Sequence, residues 1–365
     1  MADPQIIILD DIDIYARGDV QKIINVTEEK TFGRDKLINS QFSIEVKNFD
    51  NFYSIDNNSS YFKGNRWRYQ PLKIYNNDGD LIWDGIIRNI MRDHEKGLAK
   101  IMTISKLHKQ WNEQIAYTSS AAETPASAAK NIMDNYSIDY DSATIQTSIN
   151  VLTDAGCLVN VNITLEDNVT AMAAIEKLSE YACADAYSHL SKVYFKHWTV
   201  FTGGVKVNIL EKELKTRPII TDMESELINS FSIPYSGDLG VPITDANGNN
   251  LGQISRQSTF YNTHDLPNYD SGDDAQIYFT SKAGAQYIGE CYIKRTHIDL
   301  STQPRPPWAI DFELKGTHTD WIDLETYFTL TFDDESWSQK VFEFFRTEIN
   351  YNTDSIKLRA IETQV

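Results

Sequence analysis

"QFSIEVKNFD", residues 41–50, alternates with a period of two: Phe42, Ile44 and Val46 fall on one side and Ser43, Glu45 and Lys47 on the other. Successive side chains of a strand point to opposite faces, so this stretch reads as a strand with one dry and one wet face. The same texture holds outward to about residue 110. "RWRYQPLKIY" (66–75) and "DLIWDGIIRNI" (80–90) flank "NNDG", whose Asn and Gly residues tolerate positive φ, so a hairpin is expected there with Leu72 and Ile74 across from Leu81 and Trp83. "LAKIMTISK" follows the polar turn "RDHEKG" and completes a meander with one buried face.

The period then changes. In "TPASAAKNIMDNY" (124–136), Thr124 is placed to cap a helix and Pro125 occupies its first turn, where a missing N–H costs nothing. In "DNVTAMAAIEKLSEYACA" (167–184), Met172, Ile175, Leu178 and Ala182 recur at helical spacing, with Asn168 or Thr170 as cap. "AYSHLSKVYF" reads as a short hairpin. From residue 221 β patterning returns in "ELINSFSIPY" and in "VPITDANGNNLGQI". One helix interrupts it, "SKAGAQYIGECYIKR" (281–295), with Gly284, Ile288 and Cys291 on one stripe. "PPWAIDFELKG" alternates through Trp308, Ile310, Phe312 and Leu314, and "YFTLTF", "KVFEFFRTEIN" and "SIKLRAIET" close the chain.

The closing triplet is similar to the early one. In both, a strand runs into an acidic tip ("NNDGD", "DDES"), a Trp follows (Trp83, Trp337), then a long strand with an Arg (Arg88, Arg346), then a strand opening on Lys ("KIMTIS", "KLRAIE"). Two readings stand side by side: three-strand meanders that match by chance, or a duplicated β-barrel unit near each end of the chain. The fold class is therefore α+β and mostly β. Three regions are expected: 1–110 as β, 111–220 as mixed α and β, and 221–365 as β with one helix.

Composition narrows the function. Across 365 residues the formal net charge is −18, which disfavours tight wrapping of nucleic acid. Cys157, Cys183 and Cys291 are widely separated, form no CxxC, and cannot all pair, which points to folding in a reducing compartment. "MADPQIIILDDIDIY" has no basic n-region, and no stretch nears the ~20 apolar residues of a membrane span. A soluble protein made in a cytoplasm is expected.

Chemistry-bearing motifs are missing. There is no GxSxG, no P-loop and no GxGxxG opening a helix. His189 and His197 suit neither an HExxH site nor a zinc finger. "DANGNN" (245–250) and "YDSGDDAQ" (269–276) lack full calcium-loop spacing and read as Asx-rich turns. Trp111, Trp198 and Trp321 suit sugar stacking or, more simply, cores and interfaces. No catalytic, cofactor-binding or metal residue is assigned, and no enzymatic activity is expected.

The order of these features resembles the tail hub proteins of bacteriophages, the ring at the tip of the tail tube. The resemblance rests on "SQFSIEVKNFDNFYS" before "LKIYNNDGDLIWDGIIRNI", then "TPASAAKNIMDNY", then "TAMAAIEKLSEYACADAY" leading to "KVYF". "NSFSIPY", "RQSTFYN", "AGAQYIGECYIK", "WAIDFELKG" and "DLETYFTLTF" follow in the same order, although Asn262 stands where the family commonly has Gly. The resemblance implies two tube-like β-barrel domains per chain, 1–110 and 221–365, on either side of a mixed α/β domain, 111–220, in a homotrimer that joins a sixfold tail tube to a threefold central spike. Phe42, Ile44, Val46, Trp83, Arg88, Trp337 and Arg346 then mark barrel strands and an assembly interface. The implied partners are the tail tube protein, the spike, and baseplate wedge or distal tail proteins. DNA would pass only as cargo, and the protein would reside in the virion after assembly in the host cytoplasm. The alternatives are a tail-associated carbohydrate-binding adaptor and a hub with wall-degrading activity.

Overall fold

The computed structural model describes residues 6–9, 12–29, 41–54, 58, 60, 62–63, 69–75, 79, 81–107, 110, 112–199, 205–223, 230–235, 238–242, 263–265, 276–296, 306–315, 327–335, 337–350 and 355–363. The chain opens with seven strands: β1 (Ile6–Leu9), β2 (Ile12–Asp13), β3 (Val20–Glu29), β4 (Gln41–Lys47), β5 (Pro71–Tyr75), β6 (Leu81–Asp93) and β7 (Leu98–Ser105). As expected, β4 buries Phe42, Ile44 and Val46, which join Ile74, Trp83, Ile87 and Ile101 in a first core. Gly79, the described member of the "NNDG" turn, has φ of 86°, a conformation that a Cβ disfavours. The hairpin register differs from the expected one. Ile74 does face Trp83, but Leu72 faces Gly85 and Leu81 faces Tyr75.

The middle of the chain contains β8 (Tyr117–Thr118), α1 (Pro125–Asn135), α2 (Ser142–Asp154), β9 (Val159–Ile163), α3 (Ala171–Tyr181), β10 (Ala184–His189) and β11 (Lys192–His197). Thr124 caps α1 by accepting from Ser127 N at 3.1 Å, and Thr170 caps α3 by accepting from Ala173 N at 3.2 Å. Helix α2 is not foreseen by the alternation of the sequence. Asp141 caps it, accepting from Thr144 N at 2.8 Å.

The remainder comprises β12 (Val205–Leu210), β13 (Ile219–Asp222), β14 (Ser230–Tyr235), β15 (Asp238–Pro242), β16 (Thr263–Asp265), β17 (Gln276–Phe279), α4 (Lys282–Thr296), β18 (Trp308–Lys315), β19 (Tyr327–Phe332), β20 (Trp337–Asn350) and β21 (Ser355–Glu362). The turn expected at "DANGNN" and most of "YDSGDDAQ" lie outside the described residues.

Helices and strands divide among three cores. The second core runs from Leu107 through the helices to Tyr292, so Ile277 and Phe279 of β17 and Ile288 of α4 return to it. The third takes Ile209 and Leu214 together with Ile310 to Ala360. Core membership thus crosses residue 220 in both directions. Two sheets reflect this. β14–β17 pair with β8 and β9 in a six-stranded sheet, while β12, β13 and β18–β21 join β1–β7 in a thirteen-stranded one.

Candidate functional site: a repeated strand unit with two open edges

Strands β5–β6–β7 and β19–β20–β21 are both antiparallel meanders, and each carries a register break in its middle strand. The break falls between Ile87 and Asn89 in β6 and between Phe344 and Arg346 in β20. A β-bulge puts two residues opposite one, so it is a fixed mark for superimposing two ladders. Set level on their bulges, Ile87 matches Phe344 and the flanking strands fall into step. Leu72 faces Gly85 as Phe328 faces Phe342, and Ile104 lies across from Gln41 as Ile361 lies across from Ala309.

The match extends to the outer strands. β4 pairs with β7 along seven residues and β18 with β21 along seven, so "QFSIEVK" lies level with "AIDFELK". Phe42, Ile44 and Val46 correspond to Ile310, Phe312 and Leu314, and all six are buried. Glu45 faces Lys100 where Glu313 faces Lys357. One strand further out, β3 pairs with β4 as β13 pairs with β18.

Counting from the bulge also corrects two sequence matches. Trp83 is level with Lys340 rather than Trp337, and Arg88 is level with Phe345 rather than Arg346. Trp337 sits at the hairpin end, opposite Phe332 and 5.5 Å ring to ring from Phe342. Of the seven residues singled out in the sequence, Phe42, Ile44, Val46, Trp83 and Trp337 fill cores, whereas Arg88 and Arg346 are exposed.

The two units meet at one joint. Beyond its bulge, β20 leaves β19 and pairs with β3: Arg346 faces Glu29, Thr347 faces Glu28, Glu348 faces Thr27 and Ile349 faces Val26. The bulge match gives each side of this joint a counterpart. Arg346–Ile349 of β20 corresponds to Asn89–Arg92 of β6, and the outer half of β3 corresponds to β13. Among the described residues β13 pairs only with β18, and β6 beyond Ile87 pairs only with β7. Among the described residues both counterparts therefore present open edges, and each carries an exposed apolar side chain, Ile219 at 68% and Met91 at 50% exposure.

A buried polar network fastens the helical core to the sheet. Arg295, near the end of α4, places Nη2 2.7 Å from Glu343 Oε2 of β20 and 3.7 Å from Asp185 Oδ2 of β10. Trp198 Nε1 donates to Asp185 Oδ1 at 2.8 Å, and Trp198 meets Tyr292 edge-on at 4.6 Å. Lys196 Nζ lies 5.2 Å above the Tyr327 ring. Burial weighs against the charge of Arg295, but Glu343 and then Asp185 more than offset it, and its pKa rises. Burial, followed by the nearby Glu343 charge, raises that of Tyr327. Trp198, considered for sugar stacking, is thus a core residue. Trp111 and Trp321 lie outside the described residues.

His189 and His197 sit at opposite ends of the β10–β11 hairpin, facing Lys192 and Ala184 respectively. Among the described residues no group of three or more His, Cys, Asp or Glu side chains is arranged to hold a metal ion. No described helix is long and apolar enough to cross a membrane.

The described residues thus form a mostly-β fold built on two level meanders, with a helical core attached. No protein-family model matches the sequence, and no curated protein matches it. Solved structures do match, along almost the whole chain. The 43 kDa tail protein of prophage MuSo2 from Shewanella oneidensis superposes with a TM-score of 0.57 at 11% identity, covering 98% of this chain and 97% of that one. A tail protein from Neisseria meningitidis MC58 superposes with a TM-score of 0.56 at 8% identity, covering 98% and 95%. The chain has the fold of these phage tail proteins.

Proposed function

We propose that the chain is a structural subunit of a phage tail tip or baseplate, a hub in which three copies form a ring between a sixfold tail tube and a threefold central spike. The observation that carries this reading is the internal joint between β3 and β20 together with its unfilled counterpart. A head-to-tail contact that repeats closes into a ring when its rotation closes. If β6 of one copy pairs with β13 of the next as β20 pairs with β3, Met91 meets Thr221 of the next copy and Ile90 meets its Asp222. Arg92 then falls diagonal to that Asp222, a favourable cross-strand placement. Two units per chain in three copies make six similar units around the axis, which suits a sixfold tube above.

In this reading β1 and β3–β7 form the first tube-like unit, and β12, β13 and β18–β21 the second. The intervening mixed α/β region is completed by β14–β17 and α4. The faces of the ring receive the tail tube protein, the spike, and wedge or distal tail proteins. DNA passes through as cargo, no reaction is catalysed, and the protein resides in the virion after assembly in the host cytoplasm.

Native mass spectrometry and electron microscopy of the purified full chain test the proposal. Three-copy rings with six lobes are expected. A chain that stays monomeric well above micromolar concentration, or that forms only twofold dimers, overturns it.

A further inference from the structure

All three cysteines are free and buried, and although distant in sequence they gather along one stripe of α4. Cys157 Sγ donates to Gly284 O at 3.5 Å and Cys183 Sγ to Ile288 O at 3.2 Å, so the two thiols rest on successive turns of the helix. Cys291 follows on the same stripe. Helical side chains lean toward the N-terminus, so its sulfur lies over the turn that Cys183 touches. Cys183 and Cys291 therefore flank the same helical turn, at the Ile288 carbonyl that Cys183 Sγ touches. The His197 ring stacks on Tyr287 at 6.0 Å and its Nδ1 lies 2.8 Å from Thr199 Oγ1.

The three thiols are not alike. The neighbouring Cys183 thiol is the largest influence, outweighs desolvation and draws Cys291 down to about 5. Burial, followed by the nearby Cys291, pushes Cys157 up to about 12, and burial is also the first cause that raises Cys183. A thiolate is the reactive form of cysteine, and a second thiol in contact with it is a resolving partner.

We propose that Cys183 and Cys291 are an oxidisable dithiol whose disulfide staples α4 to the segment between α3 and β10. The co-reactant is hydrogen peroxide, small enough to reach a sulfur that is nearly buried. The Cys291 sulfur attacks one peroxide oxygen, an S–O bond forms and the O–O bond breaks. The departing hydroxide takes up the Cys291 thiol proton and leaves as water. Cys183 sulfur then attacks the sulfenic sulfur: the S–S bond forms, the S–O bond breaks, and a second water leaves with the Cys183 proton. Peroxide gains two electrons and each sulfur loses one. This chemistry does not depend on the chain being a hub, but it suits a protein made among reducing agents and later exposed to air.

The test uses the full chain, purified with reductant, freed of it, and treated with a stoichiometric amount of hydrogen peroxide before alkylation and peptide mapping. A linked Cys183–Cys291 peptide is expected, lost on adding reductant. The melting midpoint should rise by about 5 °C or more, because a cross-link across so long a loop strongly restricts the unfolded chain. Cys183→Ser should abolish the link and the shift, whereas Cys157→Ser, which lies off the reacting pair, should keep both. Linkage through Cys157, or over-oxidation of Cys291 while Cys183 stays free, overturns the proposal. So does indifference of all three thiols to peroxide until the chain unfolds, which the wild-type protein reports even if a serine variant fails to fold.

Discussion

A methyl group on Gly85 would lie 2.6 Å from Trp83 Nε1 and 2.7 Å from Ile104 O. The carbonyl belongs to the neighbouring strand and cannot swing aside, so Gly85→Ala is expected to lower stability by about 1–3 kcal/mol through overpacking. Thermal or denaturant unfolding reads that loss. The Arg295 network makes a second residue-scale test. Arg295→Met leaves Glu343 and Asp185 facing each other's surroundings without their cation, and breaking a buried pair in this way costs about 3–5 kcal/mol. Adding Glu343→Leu removes one of the stranded charges, so the double variant should be more stable than Arg295→Met alone. A double variant that is no better would mean the network contributes little. Neither feature is legible in the sequence: Gly85 sits inside a stretch that reads as one continuous strand, and Arg295, Asp185 and Glu343 come from three distant segments.

At the scale of elements, what local chemistry dictates is what the sequence displays. β4 and β18 alternate cleanly, Thr124 and Thr170 cap the helices they precede, and the Asn-Asp-Gly turn bends where Gly79 takes positive φ. Helix α2 stays hidden because a serine occupies its core face. Ser148, fully buried between Ile145 and Leu152, donates to Phe195 O at 3.0 Å and accepts from His197 N at 2.9 Å. Bulges are equally hidden, since alternation alone does not reveal an extra residue, and the tryptophan and arginine matches slip for that reason. Pairings made far along the chain, such as β3 with β20, leave no periodic trace at all. That joint yields a prediction for its counterpart. Met91→Lys and Ile219→Lys put charge on edges already exposed, so each folded chain should keep its stability within about 0.5 kcal/mol. Both should lose assembly, because an edge lysine opposes strand addition. Conversely, Met91→Cys combined with Thr221→Cys should cross-link between copies under oxidation into a ladder on a denaturing gel that ends at three. A ladder ending at two, or unimpaired assembly of the lysine variants, counts against the matched edges.

For the whole molecule, the net charge of −18 is less informative than where opposite signs meet. On the wet face of the thirteen-stranded sheet acids and bases face each other across strands. Glu45 lies between Lys22 and Lys100, Lys357 between Glu313 and Glu348, and Asp311 faces Arg359. Lys215 Nζ adds an ion pair to Glu313 at 2.8 Å, and its hydrogen bond holds that carboxyl below the usual range. Arg346 faces Arg359 on one side, with Glu29 across from it on the other. A ring whose passage is lined by this face would offer DNA no row of unopposed cations, and cargo could slide without release of counterions. Glu45 and Glu313 hold the same place in the two units, so Glu45→Gln with Glu313→Gln bares a lysine at every unit of the ring. The wild-type assembly is expected to show no measurable affinity for duplex DNA at about 50 mM salt. The double variant should bind, and its log affinity should fall with log salt at a slope of about −5, as six phosphate contacts require. Fluorescence anisotropy of a labelled duplex across a salt series measures both. Tight binding by the wild-type ring, or a double variant as indifferent to DNA as its parent, would remove this face from the wall of the passage.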